Sequence, residues 1–173
     1  MSGVRGPGSG VRLARSSDLD AILALEHAAF PPQDRFPRRS WRRLLTVDSA
    51  ICLVIDGPRT PDTGHRTVMA SIAWLLRRGS GNARMYSLSV HPDARGRGLA
   101  RALVDASLRR LPRGVTTLSL EVRRDNGPAV GLYCALGFIE TALLRQYYGR
   151  GRHGIRMRAT RAAVRQALSA NRA

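Results

Sequence analysis

Hydrophobic and polar positions repeat with two periods along this chain, and the places where the period switches outline its elements. VRLAR (11–15) alternates at its start and predicts a short first strand. SSDLDAILALEHAAF (16–30) carries Leu19, Ile22, Leu23 and Leu25 at helical spacing behind serine and aspartate, residue types that cap helix starts. PPQDRFP ends this helix, because proline disfavours helix at and before its own position. RRSWRRLLTV predicts a second, short helix with Ser40 as its N-cap. Two strands follow, AICLVID (50–56) and TVMASIAWLLR (67–77), on either side of GPRTPDTGHR, a loop rich in turn residues. The turn GSGN leads to a third strand, ARMYSLSV (83–90). Three successive strands separated by turns imply an antiparallel meander.

After HPDARGRG the period changes. Leu99, Ala102, Leu103, Ala106 and Leu111 fit a helical face, which PRG terminates. TTLSLEVR (116–123) returns to period two, with Leu118, Leu120 and Val122 on one face and Thr117, Ser119, Glu121 and Arg123 on the other. NGPAVGLYCALG predicts a short helix closed by Gly137 just past its C-cap. FIETALLRQYY and HGIRMRA complete the sheet. The order β-α-α-β-β-β-α-β-α-β-β implies an α/β fold with a mixed sheet, its parallel crossovers confined to residues 83–123. The expected organisation is a flexible leader (1–10), one domain (11–159) and a helical or frayed tail (160–173). A chain of 173 residues is long enough to bury a real core.

Composition adds a charge problem. The net charge is +17, and all 29 basic residues are arginine. The absence of lysine excludes a Schiff-base lysine, a Walker-type lysine and a lysine general base. The positive field attracts polyanions: a nucleotide cofactor, ribosomal RNA or an acidic protein. Aromatic residues make up only 5%, so the strands lack the interleaved stacking side chains of single-strand binders. Cys52 and Cys134 read as small buried residues, and four scattered histidines offer no metal-ligand spacing, so no metal is expected. No apolar run approaches the ~20 residues of a membrane span. MSGVRGPGSG lacks the apolar centre of a signal peptide, so a cytoplasmic location and no membrane partner are expected.

The loop HPDARGRG lies between a strand and a helix. Helix N-termini present unpaired N–H groups and a partial positive charge, which suit phosphate. Gly96 and Gly98 remove side chains where a ligand approaches the backbone, and Arg95, Arg97 and Arg101 add donors for phosphate oxygens. A glycine-rich turn with solvated arginines accounts for the same residues equally well.

Arg95-x-x-Gly98-x-Ala100, directly after YSLSVHP, resembles the acyl-CoA signature of the GNAT acetyltransferases, Q/R-x-x-G-x-G/A. LSLEVRRDNGPAVGLYCALGF (118–138) resembles the second half of that superfamily's cofactor site, and RQYYGRGRHGIRM (145–157) the C-terminal strand pair of its ribosomal-protein alanine N-acetyltransferase (RimI-like) branch. Residues 11–78 match only in element order and in the E-x-x-x-F end of the first helix. The resemblance implies a partly splayed mixed sheet of about seven strands flanked by helices, with acetyl-CoA as acetyl donor. It implies that the backbone of Leu88, Ser89 and Val90 pairs with the pantetheine arm. The N–H groups of Gly96, Arg97, Gly98, Leu99, Ala100 and Arg101 would hold the pyrophosphate beside Arg95, and Asn126 would contact the cofactor.

The same resemblance assigns Glu121 as general base and Tyr133 as general acid toward the departing thiolate, with Val90 N–H polarising the thioester. Taken alone, Glu121 also fits a surface glutamate paired with a nearby arginine, and Tyr133 a core tyrosine. Tyr147 and Tyr148 match a tyrosine pair that contacts the peptide acceptor, and they also fit a cross-strand aromatic pair. An α-amine, pKa ~7.7–8.0, is easier to deprotonate than a lysine amine at ~10.4. The implied acceptor is a protein α-amine or lysine side chain. A small-molecule amine, or a ribosome- or nucleic-acid-binding role on the same fold, remains open, as does monomer against homodimer. One departure is His153, where the branch commonly carries aspartate.

Overall fold

In the computed structural model, residues 10–59 and 66–170 are described. The expected leader up to residue 9, residues 60–65 of the long loop and residues 171–173 of the tail lie outside them. The described residues form β1 (Val11–Leu13), α1 (Leu19–Ala29), α2 (Arg38–Leu44), β2 (Ala50–Arg59), β3 (Arg66–Leu76), β4 (Asn82–Val90), α3 (Leu99–Arg110), β5 (Thr117–Arg123), α4 (Gly127–Ala135), β6 (Ile139–Leu144), β7 (Gly154–Thr160) and α5 (Arg161–Ala170). Hydrogen-bonded strands follow the order β1-β2-β3-β4-β5-β7-β6 in one mixed sheet. β4 and β5 pair in parallel, while β1–β2, β5–β7 and β6–β7 are antiparallel. The element order is the one the hydrophobic periods predict.

The chain divides into two units, Met1–Trp74 with Ser87–Arg110, and Leu75–Tyr86 with Leu111–Ala173. In the first unit, α3 packs on β1 and β2, and α1 packs against α2. Its core includes Ile22, Leu25, Trp41, Leu53, Ile72 and Leu103. Arg12 joins β1 to both Asp18 (2.7 Å) and Asp56 (2.6 Å). That bond explains a difference at the start of α1. Asp18 sits at the N-cap, yet its side chain makes no cap hydrogen bond, because it accepts from Arg12 and from the Arg15 N–H instead. Ser40 is not the N-cap of α2 either. The helix begins at Arg38 behind Pro37, whose fixed φ places the following residues in register for a first turn, so Ser40 falls inside it.

In the second unit, Leu118, Leu120, Leu136, Phe138 and Met157 are fully or almost fully buried. β7 lies between β5 and β6. The tail is helical over α5, which packs on β7 and buries Val164 and Leu168. Gly137, at φ +85°, turns the chain after α4, and a Cβ there would come within 3.4 Å of the Ala163 carbonyl oxygen. Cys52 is buried as expected, but Cys134 is exposed. The buried tyrosine preceding it occupies the inward face of α4. Among the described residues no helix is long and apolar enough to cross a membrane, and no group of three or more metal-ligating side chains occurs.

Candidate active site

The first unit carries the Arg-Gly loop. β4 alternates buried and half-buried residues to its end, so Ser87 and Ser89 point inward and Leu88 and Val90 do not. The inward serines are paired: Ser89 Oγ lies 2.8 Å from Ser71 Oγ, and Ser87 donates to Glu26 at 3.1 Å. A single 3₁₀ turn at Pro92–Ala94 follows the strand, and α3 starts at Leu99. Gly96 and Gly98 both have φ +74°, a conformation glycine adopts without steric cost. A Cβ on either would meet nothing within 4 Å. The backbone angle therefore requires these glycines, and the space beside them is open.

Arg95 turns back and donates to the Ala29 carbonyl at the end of α1 (3.3 Å), which ties the loop down. The Gly98 carbonyl accepts the first helical hydrogen bond, from Ala102 N–H (3.0 Å). The N–H groups of the first helical turn are left without an intrahelical acceptor, as at any helix start. No acidic residue occupies that turn. The Arg101 Nη1 is buried without a hydrogen-bond partner among the described residues. A buried, unpaired guanidinium nitrogen on the same short segment as these glycines fits an anionic group such as a pyrophosphate.

The second unit carries the other candidate residues. The β4–β5 ladder is registered from Asn82↔Thr117 to Met85↔Leu120. Glu121 is the next residue on β5, directly opposite Arg156 on β7. Arg84, opposite Ser119, stands diagonal to it. This register explains a clasp. Arg84 Nε donates to Glu121 Oε2 at 2.6 Å, and Arg156 Nε donates to Oε1 at 3.0 Å. The Glu121 side chain is only 7% exposed. Glu121 is thus an arginine-paired glutamate, one of the two readings its strand allowed, with both partners supplied by other strands. Burial is the largest single influence on Arg84 and pulls its pKa down, but the hydrogen bonds and charges of Glu121 and Tyr147 together outweigh it and hold the pKa above the ordinary arginine value.

Arg84 Nη2 also donates to the Tyr147 hydroxyl (3.1 Å). Tyr147 and Tyr148 meet edge to face, centroids 5.0 Å apart. Burial pushes the Tyr148 phenol up, and the charges of Tyr147, Glu121 and Tyr133 add to the shift. Gly154 leaves room for the Tyr148 ring, since a Cβ there would stand 2.9 Å from Tyr148 Cε2. Tyr133 packs edge-on against Phe138 at 5.9 Å, and burial raises its phenol to about 12. Asn126 caps α4, its Oδ1 accepting from Ala129 N–H at 3.2 Å. His153 holds the β6–β7 connection through Nδ1, which accepts from Gln146 N–H.

The structure therefore groups Leu88, Ser89, Val90 and residues 95–101 in one unit. It groups Glu121, Tyr133, Tyr147 and Tyr148 in the other, while Asn126 serves its helix. Arg84, Arg156 and the buried Glu26 are additions that the sequence did not single out. Arg84 and Arg156 each sit on the polar side of a period-two strand, the one available signal.

Comparison with known proteins gives a consistent answer. The FR47-like protein family matches residues 64–148. The [ribosomal protein bS18]-alanine N-acetyltransferase of Escherichia coli (strain K12) is 45% identical over 67 residues, 38% of this chain and 45% of that protein, so the match spans under half of the relative. An N-alpha-acetyltransferase of Sulfurisphaera tokodaii is 30% identical over 155 residues, covering 82% of this chain and 86% of that protein. The crystal structure of the ribosomal-protein-S18-alanine N-acetyltransferase from Escherichia coli superposes with a TM-score of 0.72 at 25% identity, over 87% of this chain and 92% of the other. With the fold, the loop and a relative aligned along most of both chains in agreement, this protein is a member of the GNAT acetyltransferase family.

Proposed function

We propose that the protein transfers the acetyl group of acetyl-CoA directly to a primary amine, and that the acceptor is a protein or peptide α-amine in preference to a lysine side chain. The observation that carries this reading is Glu121, fixed by two guanidinium groups on a strand that also belongs to the unit of the buried Tyr133. The amides of residues 96–101 with Arg101 would hold the pyrophosphate of the donor, and the backbone of Leu88, Ser89 and Val90 its pantetheine arm. The family resemblance also assigns Asn126 to the donor. Bound acetyl-CoA supplies an activated thioester carbonyl, which Val90 N–H would polarise.

Glu121 has lone pairs left after accepting two arginine hydrogen bonds, since a carboxylate offers about four acceptor sites. It takes the amine proton there, directly or through one water. Tyr133 keeps its own proton across neutral pH because burial raises its phenol to about 12. That value lies above an ordinary thiol near ~8.5, so full transfer from Tyr133 alone is uphill. The phenol acts as a hydrogen-bond donor to the departing sulfur, and the proton leaving the amine makes up the balance. An α-amine is partly neutral at pH 7, so it needs less from this base than lysine does.

Incubation of the protein with acetyl-CoA and short peptides tests this reading. Free thiol should appear only with peptide present, and fragmentation should place the acetyl group on the α-amine. Acetylation of small amines or of internal lysines alone would overturn it. The net charge of +17 also supports contact with a polyanion such as the ribosome. That contact should weaken steeply with salt, whereas turnover of a short peptide of neutral side chains should not.

A further inference from the structure

The arginine clasp speaks to the surroundings of the acceptor amine, and this rests on Glu121 being the residue that meets that amine. Two guanidinium charges stand against one carboxylate, which leaves the cluster one formal positive charge in excess. Arg156 spends only its Nε on Glu121, and neither of its η nitrogens has a hydrogen-bond partner among the described residues. Arg84 uses Nε and Nη2, and its Nη1 is likewise without one. Their side chains are 40% and 38% exposed, so these donors reach solvent far more than the carboxylate they hold, whose side chain is 7% exposed. Tyr147, bonded to Arg84, is 46% exposed beside them.

This arrangement discriminates by charge. Glu121 is already compensated twice, so it offers little net attraction to an ammonium cation. A polyamine or an arginine-rich N-terminus would bring like charge against the two guanidinium groups, and the field of the whole chain repels it at longer range. A planar guanidinium with free η nitrogens matches a carboxylate in a two-point hydrogen bond. We infer that Arg84 and Arg156 select acceptor peptides with an acidic residue close behind the reacting N-terminus. The side-chain carboxylate of that residue takes the free η donors, and the α-amine of the N-terminal residue ahead of it turns to Glu121. Arg84 and Arg156 are specificity-determining residues on this account.

Three peptides test it, sharing an N-terminal alanine and followed by Glu-Glu, Ser-Gly or Arg-Arg. Wild-type protein should show kcat/KM for the acidic peptide about tenfold or more above that for the basic one, carried mainly by KM. The ratio should shrink between ~0.05 M and ~0.5 M salt, because the deciding charges are half-exposed. Arg156→Gln should bring the acidic-to-neutral ratio close to one, and Arg156→Lys should restore part of it. Arg84→Gln is the independent second variant if the first does not fold. Equal or faster turnover of the basic peptide overturns the inference while leaving amine acetylation intact. So does a variant that slows all three peptides by one factor, since the arginines would then only position Glu121. If no peptide is acetylated but a small amine is, the peptide reading and this inference fall together.

Discussion

Two glutamates, the buried Glu26 in one unit and the arginine-paired Glu121 in the other, show how differently this chain treats a carboxyl group. Glu26 is fully buried on α1 and accepts from Phe36 N–H (3.2 Å) and the Ser87 hydroxyl (3.1 Å), both neutral donors. Burial therefore raises its pKa, and the weaker opposing pull of those hydrogen bonds and of Arg35 does not cancel it. Glu121 has charged donors on both oxygens. Neutral donors make a brace between α1, the segment before α2 and β4. Charged donors fix both oxygens of Glu121 and leave two guanidinium groups beside it. The same residue type is a scaffold in one place and a candidate catalyst in the other, and the difference lies in its partners.

The largest test of that contrast is catalytic. Glu121→Gln should lower kcat about 10²–10⁴-fold, the usual weight of a general base, and Tyr133→Phe should lower it in the same direction. Both variants should keep the thermal shift produced by acetyl-CoA, whereas Glu26→Gln should keep kcat within a few-fold. Loss of binding in the Glu121 variant would break the division of labour. Next in size is the donor site. Acetyl-CoA at a hundredfold its Kd should stabilise the wild type by about 2.7 kcal/mol. Gly98→Glu places a side chain and a negative charge at φ +74° and should abolish that shift in the thermal midpoint.

A smaller effect is expected beneath the tyrosine pair. Gly154→Ala forces a Cβ to 2.9 Å from the Tyr148 ring, and overpacking of this kind costs about 1–3 kcal/mol. Urea titration should read that loss, and KM for the peptide should rise while KM for acetyl-CoA stays nearly constant. The smallest effect concerns Glu26 and pH. Its folded pKa is raised above the unfolded value near ~4.3, so its contribution is complete below that pH. It is lost as pH rises through the folded pKa, where the buried carboxyl must ionise. Thermal midpoints from acid to neutral pH should show this decline in the wild type and a flatter profile in Glu26→Gln. An unchanged slope would mean that Glu26 titrates as if exposed.

Much of the fold was legible because its signals are local. The period-two strand at 116–123, the helical face from Leu99 and the glycine at 137 each state a backbone preference within a few residues. Local signals also misled where a tertiary bond competed. Asp18 left its cap for Arg12, and Pro37 set the start of α2 ahead of Ser40. The exposure of Cys134 followed from which face of α4 Tyr133 took.

The Arg-Gly loop was legible in the sequence alone, because two glycines at positive φ leading into a helix start are local backbone properties. The clasp around Glu121 was decided only by tertiary structure. Its members come from residues 84, 121, 147 and 156, and they meet because parallel and antiparallel registers set β4 and β7 beside β5. Strand register is a long-range quantity, so no window of the sequence contains it. What surrounds the candidate base, and so the charge it presents to an acceptor, was fixed by the folded sheet.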